Sequence, residues 1–147
     1  MEKVIIEWSN KKLINDIIDE LGKEKGLYYI SRLYNGKERS LYIGKSADDI
    51  KRRLKSHSKS WLYLYPKSKI YVRIGKIIYP KTVDASMIDD IESGLIFEHG
   101  MDMYGTKVLI ENTGKVNSYS YKNLYYIENI GDKFELKHIV DMNNQED

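Results

Sequence analysis

The sequence predicts a mixed α/β fold of the α+β type, and three observations carry that prediction. Asn35-Gly36 separates two runs rich in aromatic and aliphatic residues, 26–33 and 40–43, which is the pattern of a β-hairpin. Residues 69–78 begin with alternating apolar and polar side chains and stop before Pro80, as a third strand would. Ile88, Ile91, Leu95 and Ile96 recur at helical spacing behind Asp84, a residue type that caps helices, so a helix is expected over 85–99. With 147 residues, 41% of them hydrophobic, the chain is long enough for one cored domain.

The remaining elements follow in chain order. Val4-Ile5-Ile6-Glu7-Trp8 reads as a short strand or an extended lead-in. Ser9 or Asn10 then caps a helix over 10–21, with Leu13, Ile14, Ile17, Ile18 and Leu21 on its apolar face and Gly22 at its end. Ser46 is the expected cap of a helix over 47–58, with Asp49 in its first turn and Ile50 and Leu54 on its buried stripe. Arg53 and His57 are four apart and project from one face of that helix. Within 85–99, Glu92 lies beside the core face, and Gly94 marks a close backbone approach. Further on, 108–110 and 123–127 are expected strands, and Gly131-Asp132-Lys133 turns into a last one over 134–140.

The hairpin register is left open by the sequence. A two-residue Asn35-Gly36 turn pairs residues whose numbers sum to 71 and puts Tyr28 and Tyr42 on opposite faces. A three-residue loop, Tyr34-Asn35-Gly36, pairs residues summing to 70 and places Tyr28 opposite Tyr42.

Charge is distributed unevenly. The formal net charge is +2, yet between Lys45 and Lys76 ten basic residues face only Asp48 and Asp49, so that block carries +8 and the rest −6. A block of this kind can neutralise phosphates, and the resulting attraction weakens with salt. The chain has no cysteine, which excludes disulfides, thiolate zinc sites and a cysteine nucleophile and suits a cytoplasmic setting. It shows neither a signal-peptide pattern nor an apolar run of membrane-crossing length, and no Gly-rich loop followed by Lys-Ser/Thr for nucleotide hydrolysis.

Tyr28, Tyr42, Arg53, His57 and Glu92 each have a use in phosphodiester cleavage. A carboxylate supplies a hard oxygen ligand for Mg²⁺, a guanidinium can stabilise charge on the phosphate, and a phenol or imidazole can move a proton. Their order and surroundings sharpen the reading. Gly26-Leu27-Tyr28, followed by Tyr42-Ile43-Gly44, resembles the paired signature of the GIY-YIG nuclease family, with Leu27 in the isoleucine position. The run from Lys45 to His57 is similar to that family's helix bearing an arginine and, four residues later, a histidine or tyrosine. Arg53 is preferred to Arg52 for this position because it precedes Leu54 and lies four before His57. Ile91-Glu92-Ser93-Gly94 resembles the helix with the metal-binding glutamate, and Glu111-Asn112-Thr113 the late asparagine element, with Asn117 as the fallback.

The resemblance spans about residues 26–113 and implies a compact domain around a central three-stranded antiparallel sheet flanked by helices. On this reading, 1–25 is an N-terminal extension with a short helix and 114–147 a β-rich C-terminal extension with a frayed tail; both are candidates for dimer contacts or target reading. The implied activity is hydrolysis of DNA backbone bonds with Mg²⁺ or Mn²⁺. Glu92 would hold the metal and Arg53 the scissile phosphate. Tyr28 or Tyr42, aided by His57, would position or deprotonate water. Gly26, Gly44, Lys45 and Asn112 would support the site, with Lys45 a candidate for lowering a tyrosine pKa. Lys51, Arg52, Lys55 and Lys59 would face DNA. The rival expectation is a nucleic-acid-binding module that keeps the scaffold without turnover. A protein-contact scaffold, suggested by the −6 remainder, is the third.

Overall fold

A computed structural model describes residues 2–112 and 121–145. Seven strands form one sheet: β1 (Glu2–Trp8), β2 (Lys12–Leu13), β3 (Gly26–Tyr34), β4 (Lys37–Ser46), β5 (Ile70–Tyr79), β6 (Tyr125–Gly131) and β7 (Ile139–Asp141). The three α-helices among the described residues are α1 (Ile14–Glu20), α2 (Ile50–Ser60) and α3 (Ala85–His99).

The central three-stranded sheet expected from the family resemblance is corrected here. The antiparallel triple β4-β3-β5 is present, but the sheet continues as β4-β3-β5-β1-β6-β7, with β2 paired to β5 beside β1. The reason is that the outer edge of β5 is not left open. β1 pairs with it in antiparallel fashion and offers its own far edge to β6, which pairs in parallel from Glu2↔Tyr125 to Trp8↔Gly131. Val4, Ile6 and Trp8 alternate into the core, and the buried Trp8 indole donates to Asn129 Oδ1 at 3.0 Å, tying the parallel pair together. The segments expected as terminal extensions therefore supply strands to the same sheet.

The hairpin begins in the two-residue register drawn from the sequence, with paired numbers summing to 71 from Tyr34↔Lys37 to Ser31↔Ser40, and then leaves it. Asn35 and Gly36, both at positive φ (51° and 75°), make a two-residue turn that starts the pairing at Tyr34↔Lys37. An irregularity after Ser31↔Ser40 then admits Leu41 as an extra residue, so that Ile30 pairs with Tyr42 and Tyr28 with Gly44. The bulge moves Tyr42 to the face that carries Tyr28.

Each face of the sheet has its own core. Tyr28, Ile30, Leu41, Val72 and Ile74 pack with α1 and α2 through Ile14, Ile17, Ile50 and Leu54. Leu27, Tyr29 and Ile43 pack on the other face with α3 through Ile88, Ile91 and Leu95, together with Val4, Ile6 and Ile127. A Cβ on Gly94 would lie 2.8 Å from the Met142 sulfur, so the missing side chain lets the C-terminal turn seat against α3.

Local signals are met with different fidelity. α3 spans the expected residues and Asp84 caps it by accepting from Met87 N. α2 starts later than expected. Asp49 is its cap, whereas the Ser46 hydroxyl accepts from Asp48 N and Asp49 N in the approach to it. The helix expected over 10–21 is shorter, because Lys12–Leu13 join the edge of β5 and the Ser9 hydroxyl accepts from Ile74 N. Residues 108–110 form bends and a turn, not a strand. Thr113 and Asn117 lie outside the described residues. Among the described residues, no helix is long and apolar enough to cross a membrane.

Candidate functional site

Tyr28, Tyr42, Arg53, His57 and Glu92 are drawn from β3, β4, α2 and α3 into one polar cluster. Tyr28 is fully buried, and its phenol oxygen lies 2.6 Å from His57 Nε2. The Tyr28 and Tyr42 rings stack with centroids 6.1 Å apart, and the His57 ring stands edge-on to Tyr42 at 4.9 Å. Arg53 lies one helical turn before His57, with its side chain exposed. Glu92 comes from the helix on the opposite face of the sheet and is 7% exposed; its charge acts on both phenols.

The electrostatics follow from this packing. Burial pushes Tyr28 far above the ordinary phenol value; the neighbouring Tyr42 and Glu92 add to the rise, and Arg53 opposes it. Burial also raises Tyr42, reinforced by Glu92 and opposed by Arg53 and a hydrogen bond with Tyr28. His57 is pushed down to about 4, first by burial and then by the Arg53 guanidinium, so its ring is neutral at pH 7. The cation that acts on the phenols is thus Arg53. Lys45 instead pairs with Asp89 of α3 at 3.2 Å.

The glycines and Asn112 explain how the rings are held. A Cβ on Gly44 would lie 2.3 Å from Tyr28 Cζ, so the Tyr28 ring can cross β4 only over a residue without a side chain. Gly26, at φ 141°, would bring a Cβ to 2.7 Å from the Gly75 carbonyl oxygen. β4 is an edge strand, and Asn112 supplies the partner its outer edge lacks. The buried Asn112 side chain accepts from Ile43 N and donates to Ile43 O, both at 3.0 Å, between Tyr42 and Gly44.

The expected DNA-facing cations are less uniform. Lys55 and Lys59 are exposed along α2. Arg52 is exposed but holds both Asp48 carboxylate oxygens at 2.9 Å, and Lys51 is half-buried and reaches the Leu21 carbonyl at 3.4 Å.

The cluster also includes Trp61, just past the end of α2: its ring packs on Tyr42 and His57, and its indole N–H donates to His57 Nδ1 at 3.0 Å. The signal was available: Trp61 follows His57 by four residues, the spacing of neighbours on one helix face.

Among the described residues no group of three or more His, Cys, Asp or Glu suited to a metal occurs; Glu92 is the carboxyl group of this cluster that a divalent cation would meet. One carboxylate fits Mg²⁺, which keeps several waters and completes its shell with substrate phosphate oxygens. Glu92 raises both phenols, whereas the Arg53 guanidinium lowers them. No family model matches the chain, and neither a curated protein nor a solved structure matches it at a significant level.

Proposed function

We propose that this chain is a GIY-YIG-type endonuclease that hydrolyses DNA phosphodiester bonds with Mg²⁺ or Mn²⁺. The observation that carries the proposal is the convergence of Tyr28, Tyr42, Arg53, His57 and Glu92, which lie up to 64 positions apart in the chain. A packing cluster has no need of this particular set. The set combines one carboxyl group, one exposed guanidinium and two phenols backed by a neutral imidazole.

The roles follow from position. Arg53 has an exposed side chain beside the phenols, so it can grip a phosphate oxygen and stabilise the charge that builds up there. As the attacking water's oxygen bonds to phosphorus and the P–O ester bond breaks, the water proton goes to a tyrosine oxygen that has first lost its own proton to solvent, and solvent water protonates the leaving oxygen; the phenol then returns its proton to solvent. Tyr42, half-buried, is the phenol that water can reach, with the fully buried Tyr28 stacked on it; burial opposes the phenolate form, and the neighbouring Arg53 favours it. The metal, when bound by Glu92, supplies positive charge that polarises the phosphoryl oxygen. Asn112 and Gly44 fix the strand from which Tyr42 projects. The cations Lys55 and Lys59 extend the positive face along α2 toward the DNA backbone. A cytoplasmic location accords with the cysteine-free chain.

One observation favours the rival reading of a binding module without turnover: the near-complete burial of Glu92 narrows a cation's route to it. The test is cleavage of plasmid, linear, branched and single-stranded DNA with Mg²⁺ or Mn²⁺, alongside Glu92→Ala and Arg53→Ala. Metal-dependent products from the wild type, lost in both folded variants, are expected. Salt-sensitive DNA binding with no product from any substrate would instead identify the binding module.

A further inference from the structure

We propose that Trp61 is a positioning residue that locks His57 in the Nε2–H tautomer, making His57 a hydrogen-bond donor to the Tyr28 oxygen. The argument uses the direction of two hydrogen bonds. An indole nitrogen only donates. Trp61 Nε1 lies 3.0 Å from His57 Nδ1, so Nδ1 must offer its lone pair and carry no proton. A neutral imidazole then holds its proton on Nε2, the nitrogen 2.6 Å from the Tyr28 oxygen. His57 therefore has no free lone pair with which to take a proton from water, and it is excluded as the general base. It donates to Tyr28, which favours negative charge on that oxygen.

The groups around the ring support the lock. Tyr28 of β3 and Tyr42 of β4 face it, with Arg53 on its own helix and Trp61 just beyond the helix end. None of these is a carboxylate that would stabilise a doubly protonated ring. The burial and the Arg53 charge that depress its pKa act in the same direction. The Trp61 backbone reinforces the geometry: Trp61 N donates to the His57 carbonyl at 3.0 Å, so the residue that fixes the tautomer also closes the helix carrying it.

The role of this lock in cleavage rests on the nuclease reading, whereas the tautomer does not. The experiment therefore has two arms. In ¹⁵N-labelled protein at pH 7, long-range ¹H–¹⁵N correlations of the His57 ring are expected to show a protonated Nε2 and an unprotonated Nδ1. Trp61→Phe, which keeps an aromatic ring but has no N–H, is expected to give a mixture of tautomers. It is also expected to lower the Mg²⁺-dependent cleavage rate about 10–100-fold, with little change in KM. A protonated Nδ1 in the wild type overturns the proposal, as does an unchanged tautomer in folded Trp61→Phe. If Trp61→Phe does not fold, the wild-type ring signals decide alone. A wild type that cuts no DNA removes the nuclease reading and leaves the tautomer to be decided by the spectra.

Discussion

Asn112 and Ile43, 69 residues apart, exchange two hydrogen bonds of 3.0 Å through one buried amide, closing the outer edge of β4 between Tyr42 and Gly44. Asn112→Ala leaves both Ile43 backbone groups without a partner. A loss of about 2 kcal/mol in urea unfolding is expected, together with weaker cleavage. Asn112→Asp keeps an acceptor for Ile43 N but sets a buried carboxylate oxygen against the Ile43 carbonyl in place of the donor, so it should be no more stable than Asn112→Ala at pH 7. An Asn112→Ala protein as stable as wild type would show that the edge does not need this amide.

Gly44→Ala tests the passage of Tyr28 across β4. The new methyl group would meet the buried phenol ring at 2.3 Å, and that ring cannot swing aside as the end of a flexible chain could. A destabilisation of about 1–3 kcal/mol is expected from overpacking. Displacing the ring should also break the Tyr28–His57 contact and slow cleavage about 100-fold. Wild-type stability and rate in this variant would refute the close approach.

The pH dependence of stability should carry a histidine signature. Burial, aided by Arg53, holds His57 at about 4 against an ordinary 6.5. Burial likewise holds His99 at about 4, although its hydrogen bond to the Leu95 carbonyl opposes the shift. His99 Nε2 accepts from Lys137 N at 2.9 Å, which again uses the lone pair of a neutral ring. Below pH 6.5 the unfolded chain takes up protons that the native protein refuses. Stability is therefore whole above that value and declines as pH falls toward 4, by up to roughly 3 kcal/mol per ring. Denaturant midpoints measured from pH 7.5 to 4 should show this slope, and His99→Gln should reduce it. A flat wild-type profile over that range would count against buried neutral rings.

A third acid-sensitive element lies beneath the hairpin. Glu38 accepts from Arg73 Nη1 at 2.5 Å, Ser31 Oγ at 2.6 Å and Lys11 Nζ at 2.9 Å, and Arg73 also pairs with Asp132 at 3.1 Å. Burial opposes ionisation of Glu38, but these donors outweigh it and hold the carboxyl at about 2. Its contribution is complete above about pH 4.5 and is lost as pH falls toward 2, a window below that of the histidines. Glu38→Ala leaves the buried Arg73 with one of its two carboxylate partners and is expected to cost about 3–5 kcal/mol in unfolding at pH 7. A cost under about 1 kcal/mol would mean that Asp132 alone satisfies Arg73.

Much of the local architecture was legible in the residues. The span of α3 and its Asp84 cap, the Asn35-Gly36 turn, and the shared helix face of Arg53 and His57 depend on periodicity and caps acting over a few positions. The candidate site residues were also identifiable by type and order. Trp61 was visible four positions after His57, yet an aromatic side chain reads first as packing, and only coordinates show which way its N–H points.

By itself, the sequence determined a mixed α/β chain, its helix-forming stretches and its tightest turn, because those are set by neighbours close along the backbone. Tertiary structure alone decided the seven-stranded sheet and the parallel pairing of β1 with β6, which join positions more than a hundred residues apart. It also decided the bulge at Leu41, which brings Tyr42 to the face of Tyr28. A strand pattern specifies which side chains alternate. It does not specify which edge a strand meets or where an extra residue is absorbed, and those outcomes are fixed by burial against distant partners.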